Sequence, residues 1–128
     1  MVLAVHHKRL PLRLAELIRL EALITTLPAP VKATALARFP VGSTADVNSY
    51  PSYLIELAEF DAKKPTLLLT GGVHGLERIG SAVLIAFLES LIQRLEWDHG
   101  LQHQLSQLNM LFLPMVNPVG MAAHTRSN

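Results

Sequence analysis

The stretch that most limits what this chain can become is Thr66-Leu67-Leu68-Leu69-Thr70-Gly71-Gly72-Val73-His74-Gly75-Leu76-Glu77. Leu67 to Leu69 are apolar without alternation, the pattern of a short strand covered on both faces. Gly71 and Gly72 end that strand, because glycine reaches the positive φ angles that a sharp strand-to-helix turn needs. His74 and Glu77 then fall beyond the carboxyl end of a strand, where ligand sites form in α/β proteins. Imidazole and carboxylate are both zinc ligands, and a catalytic zinc takes three protein ligands plus water. An isolated His-x-x-Glu also suits a plain helix start, with Glu77 facing the positive pole of the helix.

The rest of the chain supplies elements around this turn. Pro11 to Ile24 predicts an amphipathic helix, with Leu14, Leu17, Ile18 and Ala22 on one stripe and Pro28 and Pro30 stopping it. Residues 1–30 are therefore expected to form a helical segment, and residues 31–128 the sheet-and-helix core of one domain. Val31 to Pro40 predicts a strand, Val41 to Pro51 a loop, and Tyr53 to Phe60 a second strand. The polar turn Asp61 to Pro65 leads into the glycine-ended strand, which suggests that these two strands are antiparallel neighbours.

Arg78 to Trp97 predicts a long helix. Ile79, Val83, Ala86, Phe87, Leu91 and Leu95 form its apolar face, widened by Leu84, Ile85, Leu88 and Ile92. Arg78 reads as a surface charge at its start. Asp98 to Ser106 reads as a loop, with a helical turn allowed from Leu101 to Leu108. Leu108 to Val116 predicts the next buried strand. Strand, helix and strand make a βαβ unit with parallel strands. The His74/Glu77 turn and the loop from Asn117 to Arg126 then leave the same edge of the sheet. The fold class is α/β, a mixed sheet with flanking helices.

Composition removes several classes of function. The chain has 128 residues, no cysteine and a net charge of +1. That excludes disulfides and thiolate metal sites, and leaves no basic footprint for nucleic acid. The most apolar run, Ala82 to Leu88, ends at Glu89, far short of the roughly 20 residues of a membrane span. No targeting segment is visible, since His6, His7, Lys8 and Arg9 follow the short apolar start at once. The expectation is a soluble, cytoplasmic chain without a membrane or nucleic-acid partner.

The segment Gly71-Gly72-Val73-His74-Gly75-Leu76-Glu77 resembles the first zinc motif of the zinc carboxypeptidases. The broader superfamily of these metallopeptidases includes the succinylglutamate desuccinylase and aspartoacylase enzymes. Asn117-Pro118-Val119-Gly120, followed by Thr125-Arg126-Ser127-Asn128, resembles the family's second motif, usually Asn-Pro-Asp-Gly with an arginine after it. Val119 departs from the usual aspartate. The resemblance covers Tyr53 to Asn128 and implies the N-terminal portion of a carboxypeptidase-like (phosphorylase/hydrolase-like) domain.

By that resemblance His74 and Glu77 are two of three ligands of one Zn2+. Arg126, which otherwise reads as an exposed arginine, is the catalytic and substrate-binding oxyanion partner. Asn117 and Gly120 fix the turn. The implied activity is hydrolysis of a C-terminal peptide bond by metal-activated water. The alternatives are N-acyl amino-acid amidohydrolysis and a non-catalytic metal-binding or interaction module. The family's third ligand, a histidine, and its general-base glutamate lie beyond Asn128. The expectation is thus the N-terminal part of a longer enzyme, inactive alone, its site completed by a C-terminal half or a second chain. His99 and His103, four apart, would suit two ligands on one helical face, but Gly100 and the loop context predict solvated loop histidines. His124 shares the Arg126 loop, and His6 and His7 read as tail residues.

Overall fold

The computed structural model describes residues 14–40, 49–74 and 78–123. Along the chain these form α1 (Ala15–Ile24), β1 (Lys32–Pro40), β2 (Ser49–Glu56), β3 (Thr66–Thr70), α2 (Arg78–Arg94), α3 (His99–Gln107), β4 (Asn109–Leu113) and α4 (Pro118–Ala123). The expected α/β class holds: four strands form one mixed sheet in the order β1-β2-β4-β3, with helices packed on it. β1 and β2 pair antiparallel over most of their length. β4 meets β2 antiparallel at Ile55↔Phe112 and Glu56↔Leu111, and runs parallel to β3 from Thr66↔Asn109 to Thr70↔Leu113. No helix among the described residues is long and apolar enough to cross a membrane.

Three expectations about strand order and bounds change. β2 and β3 are not neighbours, because β4 lies between them. The side chain of Asn109, the first residue of β4, holds open the turn that was expected to join them. Its Oδ1 accepts from the Asp61 N–H at 2.9 Å, and its Nδ2 donates to Asp61 O at 2.8 Å and Lys64 O at 3.2 Å. β2 begins and ends earlier than expected, at Ser49 and Glu56. Its polar start does not look like a strand, yet Ser52 is buried and its Oγ donates to Met115 O at 2.9 Å. β4 stops at Leu113, where Pro114 brings no N–H to continue the ladder.

Asn109 ties down the Asp61 N–H and Lys64 O, and shares Asp61 O with the Lys64 N–H. Asn109→Ala should therefore cost about 1–2 kcal/mol, since part-buried backbone groups lose hydrogen-bond partners. The urea midpoint at constant slope measures it.

β3 is the last strand of the sheet among the described residues, and Leu67 (46% exposed) and Leu68 (49%) are not covered on both faces as the apolar run suggested. α2 shows the same discrepancy. It buries Ser81, Ile85, Leu88 and Leu91. Part of the face expected to be its core, Ile79, Val83 and Phe87, is outside. A helix apolar all round cannot declare its buried side by periodicity. Phe87 keeps one link inward, its ring 5.9 Å from that of buried Phe112.

α1 lies against α2 and is tied to it by two ion pairs. Arg78 is no free surface charge: its Nε and Nη2 donate to Glu16 Oε2 at 3.0 Å and Oε1 at 2.6 Å. Arg19 makes a similar fork with Glu89. Tyr53 of β2 donates its hydroxyl to Glu21 at 2.7 Å, and burial with that bond pushes the phenol up to about 12.

Burial alone would raise the Glu16 carboxyl, but the Arg78 hydrogen bonds, the backbone and the Arg78 charge hold it below the ordinary carboxylate value. A lowered native pKa gives stability that is present above the unfolded carboxylate pKa and lost as pH falls through the native one. Glu16→Gln is therefore expected to be less stable than the parent at pH 7, with the gap closing at low pH. Paired denaturation curves at neutral and acid pH check this.

Candidate functional site

β3 and β4 run parallel and end side by side, so the turns that follow them emerge together. Backbone hydrogen bonds join the two turns directly. Gly71 N–H donates to Leu113 O at 3.1 Å, Val116 N–H to Gly71 O at 2.9 Å, and Asn117 N–H to Gly72 O at 2.8 Å. The glycine turn and the Asn-Pro turn are thus one structural unit at one edge of the sheet, as the βαβ pattern predicted.

Gly72 takes φ +65°. A Cβ there would stand 2.6 Å from Ser81 Oγ and 2.7 Å from Met121 Sδ. At Gly71 a Cβ would meet the carbonyl oxygens of Gly80 and Pro114, each at 3.0 Å. Gly71 lets the backbone sink onto α2 and the end of β4, and Gly72 lets it sink onto α2 and α4.

Ser81, absent from the expected site, is fully buried under this junction and donates to Pro114 O at 2.6 Å. It therefore pins the end of β4 to the start of α2. Its only sign in the sequence is a hydroxyl among the apolar residues of a helix.

The second turn is a helix start and not the expected loop. Pro118 opens α4, where its missing N–H costs nothing. Asn117 Oδ1 accepts from the Gly120 N–H at 3.0 Å, so Asn117 and Gly120 fix the turn as expected. A Cβ on Gly120 would stand 2.4 Å from Asn117 Nδ2.

His74 is half-buried in the turn after β3, two residues beyond Gly72. Glu77, His124 and Arg126 lie outside the described residues. The structure thus brings the two motif turns together and positions one of the three expected site residues. Among the described residues no three of His, Cys, Asp and Glu are grouped to hold a metal ion. His99 and His103 are not in a loop: both lie in α3 with exposed side chains. A cavity of about 350 Å³ is bounded by Pro28, Pro30, Leu57, Leu95 and Leu105, and none of the motif residues lines it.

Residues 37–128 match the profile of the zinc carboxypeptidase family. Among solved structures, a candidate metallopeptidase from Shewanella denitrificans is 28% identical with a TM-score of 0.61, over 89% of this chain and 36% of that one. A second, from Shewanella baltica, is 26% identical with a TM-score of 0.55, over 88% and 35%. A candidate carboxypeptidase from Burkholderia mallei shares the fold at 21% identity and a TM-score of 0.55, over 85% of this chain and 26% of that one. No curated protein matches the chain. The chain therefore spans about a third of the length of the Shewanella proteins it resembles.

Proposed function

Because the chain belongs to the zinc carboxypeptidase family, we propose that it carries the first part of a metal-dependent hydrolase site, built on the joined turns after β3 and β4. In this reading His74 and Glu77 hold a zinc ion, and Arg126 is the oxyanion partner. The observation that carries the reading is the backbone pairing of Gly71 and Gly72 with Val116 and Asn117. It joins the start of the first motif to the start of the second.

The donor set fits zinc as far as it goes. An imidazole and a carboxylate are two of its usual ligands, and His74 stands half-buried in the turn that follows β3. Three protein ligands are needed, so a further ligand and a general base are to be supplied by additional polypeptide. A bound zinc lowers the pKa of its water and polarises the carbonyl to be attacked. The work of this chain's own residues is positional. Gly71, Gly72 and Ser81 fix where His74 stands, and Asn117 fixes the turn that leads to Arg126. The guanidinium of Arg126 donates hydrogen bonds to the oxygen that gains charge as the carbonyl becomes tetrahedral.

The edge of β3, unpaired among the described residues, and the Ile79, Val83, Phe87 stripe of α2 are where further polypeptide would pack in such an enzyme. The proposed substrate is a peptide with a free C-terminal carboxylate, cleaved at its last amide bond. The test is turnover by the protein as expressed from its own gene, on C-terminal peptides and on N-acyl amino acids. Chelator-sensitive release of the C-terminal residue supports the reading. Turnover of acyl amino acids alone moves the activity to amidohydrolysis, and no chelator-sensitive hydrolysis of either overturns it.

A further inference from the structure

α3 puts two histidines on one exposed face, away from the motif turns. His99 is its first residue and His103 lies four further on, both exposed. Residues at i and i+4 of a helix stand one above the other, with Cβ atoms about 5–6 Å apart. That spacing lets two imidazoles reach a single ion at about 2.0–2.1 Å each.

The helix is well held. Asp98 caps it by accepting from the Leu101 N–H at 3.0 Å, and Leu101 and Leu105 are buried beneath it. Gly100, which argued against a helix, sits within the first turn without breaking it. The Gln107 amide nitrogen lies 3.2 Å from His103 Nε2. A neutral imidazole has one ring nitrogen with a lone pair, the atom a metal requires, and a metal at Nε2 would displace the Gln107 amide. This contact is exposed and exchangeable.

We propose that His99 and His103 form a chelating site for a divalent transition-metal ion of the copper(II) or nickel(II) type, separate from the His74 turn. Imidazole nitrogens suit these ions, and copper(II) stands highest in the affinity order for such donors. Water or a small chelate fills the remaining positions. The positive pole of α3 opposes a cation in its first turn, and the Asp98 carboxylate in the cap position is already paired with Arg94, so the binding energy has to come from the two imidazoles. The site lies before the start of β4, whereas the motif turns follow the ends of β3 and β4.

The test uses copper(II) iminodiacetate, which leaves two neighbouring positions open for imidazoles. It is run on the 128-residue chain with His6, His7, His74 and His124 all replaced by alanine. Electron paramagnetic resonance should show two imidazole nitrogens on one copper ion. His99→Ala and His103→Ala should each weaken binding by about 100-fold, the low end of what a second linked ligand adds. The double variant His103→Gln, Gln104→His keeps two histidines but sets them five apart, on diverging faces, and should bind as poorly as a single-histidine variant. Circular dichroism on each variant confirms that α3 is intact. A single-nitrogen signal in the four-alanine background, or equal affinity in the five-apart variant, would overturn the proposal.

Discussion

Gly72→Val should lower stability by about 3–5 kcal/mol, the sum of a strained positive-φ backbone and an overfilled core. The new Cβ would fall within 2.7 Å of both Ser81 Oγ and Met121 Sδ, and both side chains are fully buried. Neither can retreat freely. Ser81 Oγ holds Pro114 O at 2.6 Å, and the Met121 side chain is fully enclosed. The strain would therefore be felt in both turns at once. Gly80→Ala is the control, because its Cβ would find nothing nearer than 4.0 Å. That change should be neutral or slightly stabilising, since alanine suits a helix interior better than glycine. Chemical denaturation of the two variants separates a turn that needs glycine from a glycine that is merely tolerated.

His74→Ala should reduce metal-dependent hydrolysis by the gene-expressed protein by more than about 1,000-fold, or about 4 kcal/mol in barrier height. Stability should change little, because His74 is only half-buried and lies in a turn. The diagnostic pattern is loss of both zinc content and kcat with an unchanged denaturation midpoint. Loss of activity together with collapse of the fold would instead make His74 a structural residue.

The turns at the end of β3 and β4 were legible because their signals are local. A glycine pair after an apolar run, and Asn-Pro after another, each specify a chain reversal through backbone chemistry alone. Parallel pairing of β3 and β4 followed from the helix between them. What the sequence did not reveal depends on neighbours. The apolar run of β3 suggested a buried strand, but exposure depends on what lies beside it, and β3 is the last strand among those described.

The inner face of α2 was obscured because both sides are apolar. β4 takes the place expected for β2 through Asn109, whose role depends on contacts 43 to 48 residues away. α3 was passed over because Gly100 looked like a break, although Asp98 before it is a sound helix cap. The buried Ser52 and Ser81 could not be told from surface serines without the structure.

The most direct test of the central claim is a cobalt(II) titration of the protein as expressed from its own gene followed by amide NMR, in the parent and in His74→Ala. The chain carries His99→Ala and His103→Ala in both cases, to keep metal off α3. The account predicts paramagnetic broadening centred on residues 71–78 that extends across the backbone pairing to residues 116–120. It also predicts that His74→Ala abolishes the broadening. Broadening that is absent from both turns, or that persists unchanged in His74→Ala, would contradict a metal site at the joined turns.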